Sequence, residues 1–293
     1  MPILHGEGIL TRQAQTLNAL ARLPIFNQTA LRLLTVATDS DSARADFDSA
    51  FRSDPSLAMD LLTTANSAEF GFRSQVASIG HALSLLGLER ARSLACMIAM
   101  SFYLRTSIRA DVSAFWKHSI VSAALAGHLA EVSSLSAPGP YTAAMLHDIG
   151  RLGLQMTSPQ DYDTLADLPI SAMDEALKIE RVLFGMNHCE AGAAMSLAWG
   201  FPESMERHVR QHHGHAPPQE DPVTNLVQTA CRLADGLGYP EFSVAPGAAR
   251  SGLEEVLPSQ FRKHAACSVE RLDAVARTHL AVTNRLQVSS RAG

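Results

Sequence analysis

Along most of the chain, apolar residues return every three or four positions, the period of a helix with one face turned inward. Runs in which β-branched residues alternate with polar ones are hard to find. The pattern predicts a succession of helices. Leu31 and Leu34 share a face behind an N-cap at Asn27. Phe47 and Phe51 mark the next helix, which should end before Asp54-Pro55; Leu57, Leu61 and Leu62 then continue toward Asn66-Ser67. Ser78 should cap a helix carrying Ile79, Ala82, Leu83 and Leu86, stopped by Gly87. Residues 88–104 are nearly all apolar, which predicts a helix buried on most sides.

The polar run RTSIRAD, residues 105–111, is the expected boundary between two lobes. Beyond it the pattern predicts helices over 113–131 and 141–154, separated by the loop SSLSAPGP, and a loop-rich stretch over 157–174. Helices over 175–183 and 190–199 follow, then Gly200 and Pro202 punctuate the next start. The loop HAPPQEDP precedes a helix over 223–237, and one or two more helices fill 248–288. The expectation is an all-α chain with an N-terminal lobe over 1–106, a second lobe over 107–243 and a helical extension over 244–293.

Composition narrows the partners. With 46% hydrophobic and 18% charged residues among 293, a large core is within reach. The formal charge of -5 (24 minus 29) argues against a non-specific nucleic-acid binder or a protein drawn to anionic membranes. The four cysteines lie far apart without a CxxC pair, which fits a reducing compartment. No export signal is visible, and the most apolar stretch, 94–104, is about half the roughly 20 residues that span a bilayer. A cytoplasmic location is the expectation.

Candidate chemistry lies in the placement of the histidines. His118 shares a face with Val121, Ser122, Leu125 and Leu129, and His147-Asp148 sits among Met145, Ile149 and Leu152. His188 opens a small-residue helix, and His212-His213 ends one whose inward positions include Met205 and Val209. Asp235 follows Cys231 and Val227 by one and two turns. Two readings stay open: each histidine is a satisfied core residue, or these segments converge on one interior site. Buried imidazole and carboxylate need a partner or a metal. Nitrogen and oxygen donors suit iron, manganese or zinc. An aspartate between two ions can lend one oxygen to each, an arrangement suited to phosphoester hydrolysis.

The order His118, His147-Asp148, His188, His212-His213 and Asp235 resembles the HD superfamily of metal-dependent phosphohydrolases. Leu23 to Tyr239 as a whole resembles its signalling offshoot, the HDOD family. Leu23-Pro24, Asp54-Pro55, Ala65-Asn66-Ser67-Ala68, Phe70-Gly71, Ser78-Ile79, Ala82 and Leu86-Gly87 carry the likeness in the first lobe. The resemblance implies a two-lobed helical architecture with an HD-like second lobe. It also implies a regulatory role through protein partners or a small ligand such as a nucleotide or cyclic dinucleotide. The alternative is a binuclear metal-dependent phosphohydrolase or phosphodiesterase acting on a nucleotide or cyclic dinucleotide, in which Asp148 is catalytic. One or two divalent ions (iron, manganese or zinc) are implied. His118, His147, Asp148 and Asp235 would hold the first, and Asp148 would bridge to a second held by His188, His212 and His213. Arg151 stands where relatives carry lysine, and is expected either on a phosphate or in solvent. Asn66 and Ser67 either line the lobe interface or set the local turn. The segment DGLGYP over 235–240 looks like the signature of HD-GYP phosphodiesterases but starts 22 residues after His213 (235 minus 213), so that family's dinucleotide-specific loop is not expected.

Overall fold

Short polar residues and glycines cut the chain into helices where its backbone needs a partner. The computed structural model describes residues 6–67, 70–73, 75–107, 113–168, 170, 172–214, 221–240 and 252–289. Among these the first helices are α1 (Gly6–Leu20), α2 (Gln28–Thr35), α3 (Ala43–Arg52), α4 (Pro55–Ala65), α5 (Ile79–Leu86) and α6 (Leu88–Ser107). Then come α7 (Ser113–Val132), α8 (Pro138–Leu146), α9 (Ile149–Thr157), α10 (Pro159–Ala166), α11 (Met173–Phe184) and α12 (His188–Trp199). The series closes with α13 (Glu203–Gln211), α14 (Pro222–Gly236), α15 (Leu253–Val256), α16 (Ser259–Arg262) and α17 (Val269–Ser289), and the described residues contain no strand. The chain is all-α, as its periodicity indicates. No helix among the described residues is long and apolar enough to cross a membrane.

Two compact units emerge, one of residues 25–110 with 278–293, the other of 1–24 with 111–277. This grouping differs from the linear division at 106 and 243. The 105–111 boundary lies largely outside the described residues, as do most of HAPPQEDP and the junction at 243. The first helix, for which the sequence raised no expectation, packs with the later segment against α9, α11 and α12. The reason lies at the C-terminus of α11, whose last carbonyls have no partner within the helix. Arg12 donates to the carbonyl of Leu183, and Thr16 Oγ1 donates to that of Phe184 at 2.7 Å.

In the smaller unit the expected caps are in place. Asn27 Oδ1 accepts from Ala30 N at 2.8 Å, and Asp54 Oδ1 accepts from Leu57 N at 3.0 Å. The two caps are tied together, because Asn27 Nδ2 donates to Asp54 Oδ2 at 2.9 Å. Ser78 caps α5, and Gly87 ends it at φ +77°, a backbone conformation that residues with a β-carbon rarely adopt. Leu33, Phe47, Phe51, Leu57, Leu61, Val76 and Leu83 form the core. Asn66 serves this unit's own backbone: its side chain donates to the carbonyls of Leu62 and Val76 and accepts from Val76 N, all within 2.8–2.9 Å. Ser67 Oγ beside it is buried and makes no hydrogen bond to a described residue. Helix α6 is buried along most of its length, through Met100, Tyr103 and Leu104, with Phe102 exposed on its outer side.

In the larger unit, α7 is buried nearly all round between α8 and α14. The single helix expected over 141–154 is instead two. The chain breaks at His147-Asp148, with Asp148 at φ -100°, ψ 15°, so that one residue closes α8 and the next opens α9. Asp148 makes no capping bond, which leaves its carboxylate for the interior. Helix α9 then lies against the start of α12 with no room between backbones. A β-carbon on Gly150 would stand 1.8 Å from the carbonyl oxygen of His188 and 2.5 Å from Gly192 N. Neither contact is a flexible side chain, so Gly150→Ala should force the helices apart and lower unfolding stability by about 3 kcal/mol. Urea denaturation followed by circular dichroism checks this; an unchanged midpoint would mean the close approach is absent.

Candidate metal centre

Five helix ends or faces of the larger unit deliver titratable side chains to one interior point. His118 comes from the middle of α7, His147 and Asp148 from the α8–α9 break, His188 from the first turn of α12, and His212 and His213 from the end of α13. His118 and Asp148 are each 2% exposed, and His147, His188 and His212 are fully buried.

Each imidazole is fixed by what its Nδ1 touches. His118 Nδ1 lies 2.9 Å from the carbonyl of Tyr239, His147 Nδ1 2.6 Å from that of Ala144, and His212 Nδ1 2.7 Å from that of Val209. A carbonyl only accepts, so each of these nitrogens carries the proton and donates it outward. His188 Nδ1 donates to Glu180 Oε2 at 2.6 Å, with His188 N donating to the same oxygen at 2.9 Å. The four Nε2 lone pairs are thereby turned inward. They meet in two pairs, His118 with His147 and His188 with His212, each separated by 3.2 Å. Lone pairs at that distance repel unless a cation or an extra proton stands between them.

Asp148 joins the pairs. Its Oδ2 lies 3.5 Å from His118 Nε2 and 3.3 Å from His147 Nε2, while its Oδ1 lies 3.5 Å from His188 Nε2 and 3.2 Å from His212 Nε2. Oδ1 has no hydrogen-bond partner among the described residues. Burial opposes ionisation of Asp148, but His147, Arg151 and His212 together hold the carboxyl well below the usual range. Burial drives His118 below its ordinary value despite Asp235 and Asp148. It does the same to His213, helped by His212 and His188, and His213 Nε2 is buried without a hydrogen bond to a described residue. Burial and Arg151 oppose protonation of His188, but Glu180 and Cys189 together carry it upward. Bonds of 2.0–2.1 Å to a tetrahedral ion set neighbouring nitrogens about 3.3 Å apart, so both pairs are spaced as ligands of one ion each. The donor set fits a pair of divalent ions. Asp148, His188, His212 and His213 lie within reach of one ion, and His118 and His147, together with Cys231, within reach of another.

Two expected residues stand elsewhere. Arg151 is neither in solvent nor free to meet a phosphate: it is 1% exposed, with Nη1 donating to Glu180 Oε1 at 3.1 Å and Nε 3.4 Å from Asp148 Oδ1. One turn after Asp148 on α9, it points inward because two buried carboxylates need its charge. Asp235, 29% exposed at its side chain, sets Oδ1 3.3 Å from His118 Nδ1, on the ring edge turned away from the other donors. Burial raises its carboxyl. The sequence reading passed over Glu180, although an acidic residue on the face shared by Ala176, Leu183 and Phe184 is a legible sign of a buried carboxylate.

A model of the HDOD domain family matches residues 23–215. A protein of Treponema pallidum (strain Nichols) is 24% identical over 221 residues, which cover 73% of this chain and 43% of that protein, so the chain spans less than half of that relative's length. The structure of an HDOD domain protein from Geobacter sulfurreducens superposes with a TM-score of 0.71 at 21% identity, covering 96% of this chain and 97% of the other. A protein of Shewanella amazonensis SB2B, named as a proposed phosphohydrolase, superposes with a TM-score of 0.66 at 20% identity, covering 94% and 97%. At these identities the two structures speak to the fold.

Glu180→Gln should destabilise the larger unit by about 3–5 kcal/mol at neutral pH, because it leaves the buried Arg151 short of an anion. Burial raises the Glu180 carboxyl, but His188 and Arg151 bring it down to about 2 from its ordinary 4.5. Its contribution is therefore complete above pH 4.5 and is lost as the pH falls toward 2. Urea unfolding of both proteins across that window should show the gap between them closing; a constant gap would contradict the ion pair.

Proposed function

The chain belongs to the HDOD domain family, and we propose that it is a regulatory module of that family built around a retained binuclear metal centre. The observation that carries this reading is the pair of Nε2–Nε2 contacts at 3.2 Å, bridged by the two oxygens of Asp148. His118, His147 and Asp148 would hold one ion, and Asp148, His188, His212 and His213 the other. Iron, manganese and zinc suit such donors.

The regulatory output is signalling to protein partners, with the ions serving to lock five helical segments in one arrangement. Burial of the ligands supports this role: His118, His147, Asp148, His188 and His212 are at most 2% exposed, so little of the centre faces a ligand. Arg151, the cation nearest Asp148 in sequence, is engaged by Glu180 and not offered to a phosphate.

A second reading has its own support. A carboxylate shared between two imidazole pairs is the arrangement of binuclear phosphohydrolases, and two divalent ions supply Lewis acidity toward a phosphoester or cyclic dinucleotide. In that case Asp148 and His213 line the reacting face, and Asp235 at the rim binds or orients what enters.

Metal analysis by mass spectrometry on protein purified without chelator should find about two divalent ions per chain, one for each imidazole pair. Asp148→Ala should lose both while keeping its helical circular dichroism. A folded wild type free of metal, unable to take it up from solution, would overturn both readings. Hydrolysis of a phosphodiester by the loaded wild type, abolished in Asp148→Ala, would move the assignment to the enzyme.

A further inference from the structure

Two imidazole nitrogens and one shared carboxylate oxygen leave a tetrahedral ion one ligand short. At the half-centre of His118 and His147, the donor that reaches this gap is a sulfur. Cys231 Sγ lies 3.6 Å from His118 Nε2, and Cys231, His118 and His147 place one donor atom each within 4.8 Å of one another. Cys231 is 1% exposed, on α14 one turn before Asp235. Bonds of about 2.3 Å to sulfur and 2.0–2.1 Å to nitrogen at a tetrahedral angle set sulfur and nitrogen about 3.6 Å apart. The separation found is 3.6 Å, beside an Nε2–Nε2 distance of 3.2 Å.

The neighbouring acid does not share this geometry. Asp235 Oδ1 approaches Nδ1 of His118, the nitrogen whose proton goes to the carbonyl of Tyr239, and so stands on the opposite edge of the ring from Nε2. The second cysteine of the region provides a contrast. Cys189 Sγ is 3.9 Å from Nδ1 and 4.0 Å from Nε2 of His212, equidistant from both and therefore beside the ring flank, not ahead of the lone pair. A cysteine alone would mean little. Here it completes a group that already contains two inward lone pairs and the buried carboxylate of Asp148.

We propose that Cys231, in place of Asp235, is the fourth ligand of the ion held by His118, His147 and Asp148. The proposal rests on the metal reading above and deepens it. The half-centre then has two nitrogens, one oxygen and one sulfur, a set that favours zinc or another thiophilic divalent ion over manganese or magnesium. On ligation the S–H bond breaks as the sulfur–metal bond forms, the proton leaves to solvent, and nothing is oxidised or reduced. Asp235 acts as a positioning residue that holds the His118 ring by its Nδ1 edge.

Cobalt(II) reports the ligand directly, because thiolate ligation adds a near-ultraviolet charge-transfer absorption to the visible bands of the bound ion. Full-length metal-free protein titrated with cobalt(II) should show both. Cys231→Ser should lose the charge-transfer absorption and keep visible bands from the other half-centre, whereas Cys189→Ser and Asp235→Asn should keep both. Bound cobalt without charge-transfer absorption in the wild type, or an absorption that survives Cys231→Ser and disappears in Cys189→Ser, would overturn the proposal and leave the metal reading standing. Failure of folded wild type to bind cobalt or zinc would overturn both. X-ray absorption on zinc-loaded Cys189→Ser leaves Cys231 untouched: a sulfur neighbour at the metal there supports Cys231 even if Cys231→Ser does not fold, and its absence refutes it.

Discussion

A carboxylate that is 2% exposed and ionised has to be balanced from every side, and the larger unit is packed as the answer to that demand at Asp148. The break between α8 and α9 turns the group inward, and Arg151 one turn later supplies a cation. Arg151 is itself buried and needs a second anion, which α11 provides in Glu180; Glu180 in turn binds the ring and backbone of His188. The charges alternate along the series, from Asp148 and Arg151 at the start of α9 to Glu180 on α11. Each member is costly alone, so none can be altered without exposing its neighbour's charge to a medium that does not solvate it. This chain of obligations, more than any one apolar contact, fixes where α9, α11 and α12 meet.

What could be read beforehand follows from how far each signal acts. Helix caps are decided within three or four residues, and Asn27, Asp54 and Ser78 stand where the sequence puts them. Inward histidines were legible because helical period puts His118 and His147 among residues that must be buried. The division between α8 and α9 was not, since the apolar period runs through His147-Asp148 without a proline or glycine at the break. Nor was the burial of Arg151, whose partner Glu180 lies 29 residues away on another helix. Cys231 and Asp235 lie one turn apart on one helix, and period alone cannot say which side chain reaches the Nε2 edge of His118 and which the Nδ1 edge. Placing α1 with the second half of the chain needed the carbonyls at the end of α11, which no local pattern announces.

The two halves of the centre are built differently around a common bridge. In one, carbonyls take both Nδ1 protons, His118's going to Tyr239 and His147's to Ala144, with Asp235 beside the His118 edge. The other couples a carbonyl at His212 with a carboxylate at His188, whose imidazole is carried above its ordinary value while burial takes that of His118 below. Different basicity on either side of one aspartate gives the pair an intrinsic asymmetry, independent of what fills it.

His147 and His212 each bond a carbonyl three residues back in the helix they terminate. Each ring thus closes the final turn of its own helix, and its direction is settled as soon as that turn forms. The remaining donors arrive from segments as far apart as residues 118 and 231, which come together only when the helices have docked. Two rings are thus aimed by the ends of their own helices, and the other donors by the helices that come to lie beside them.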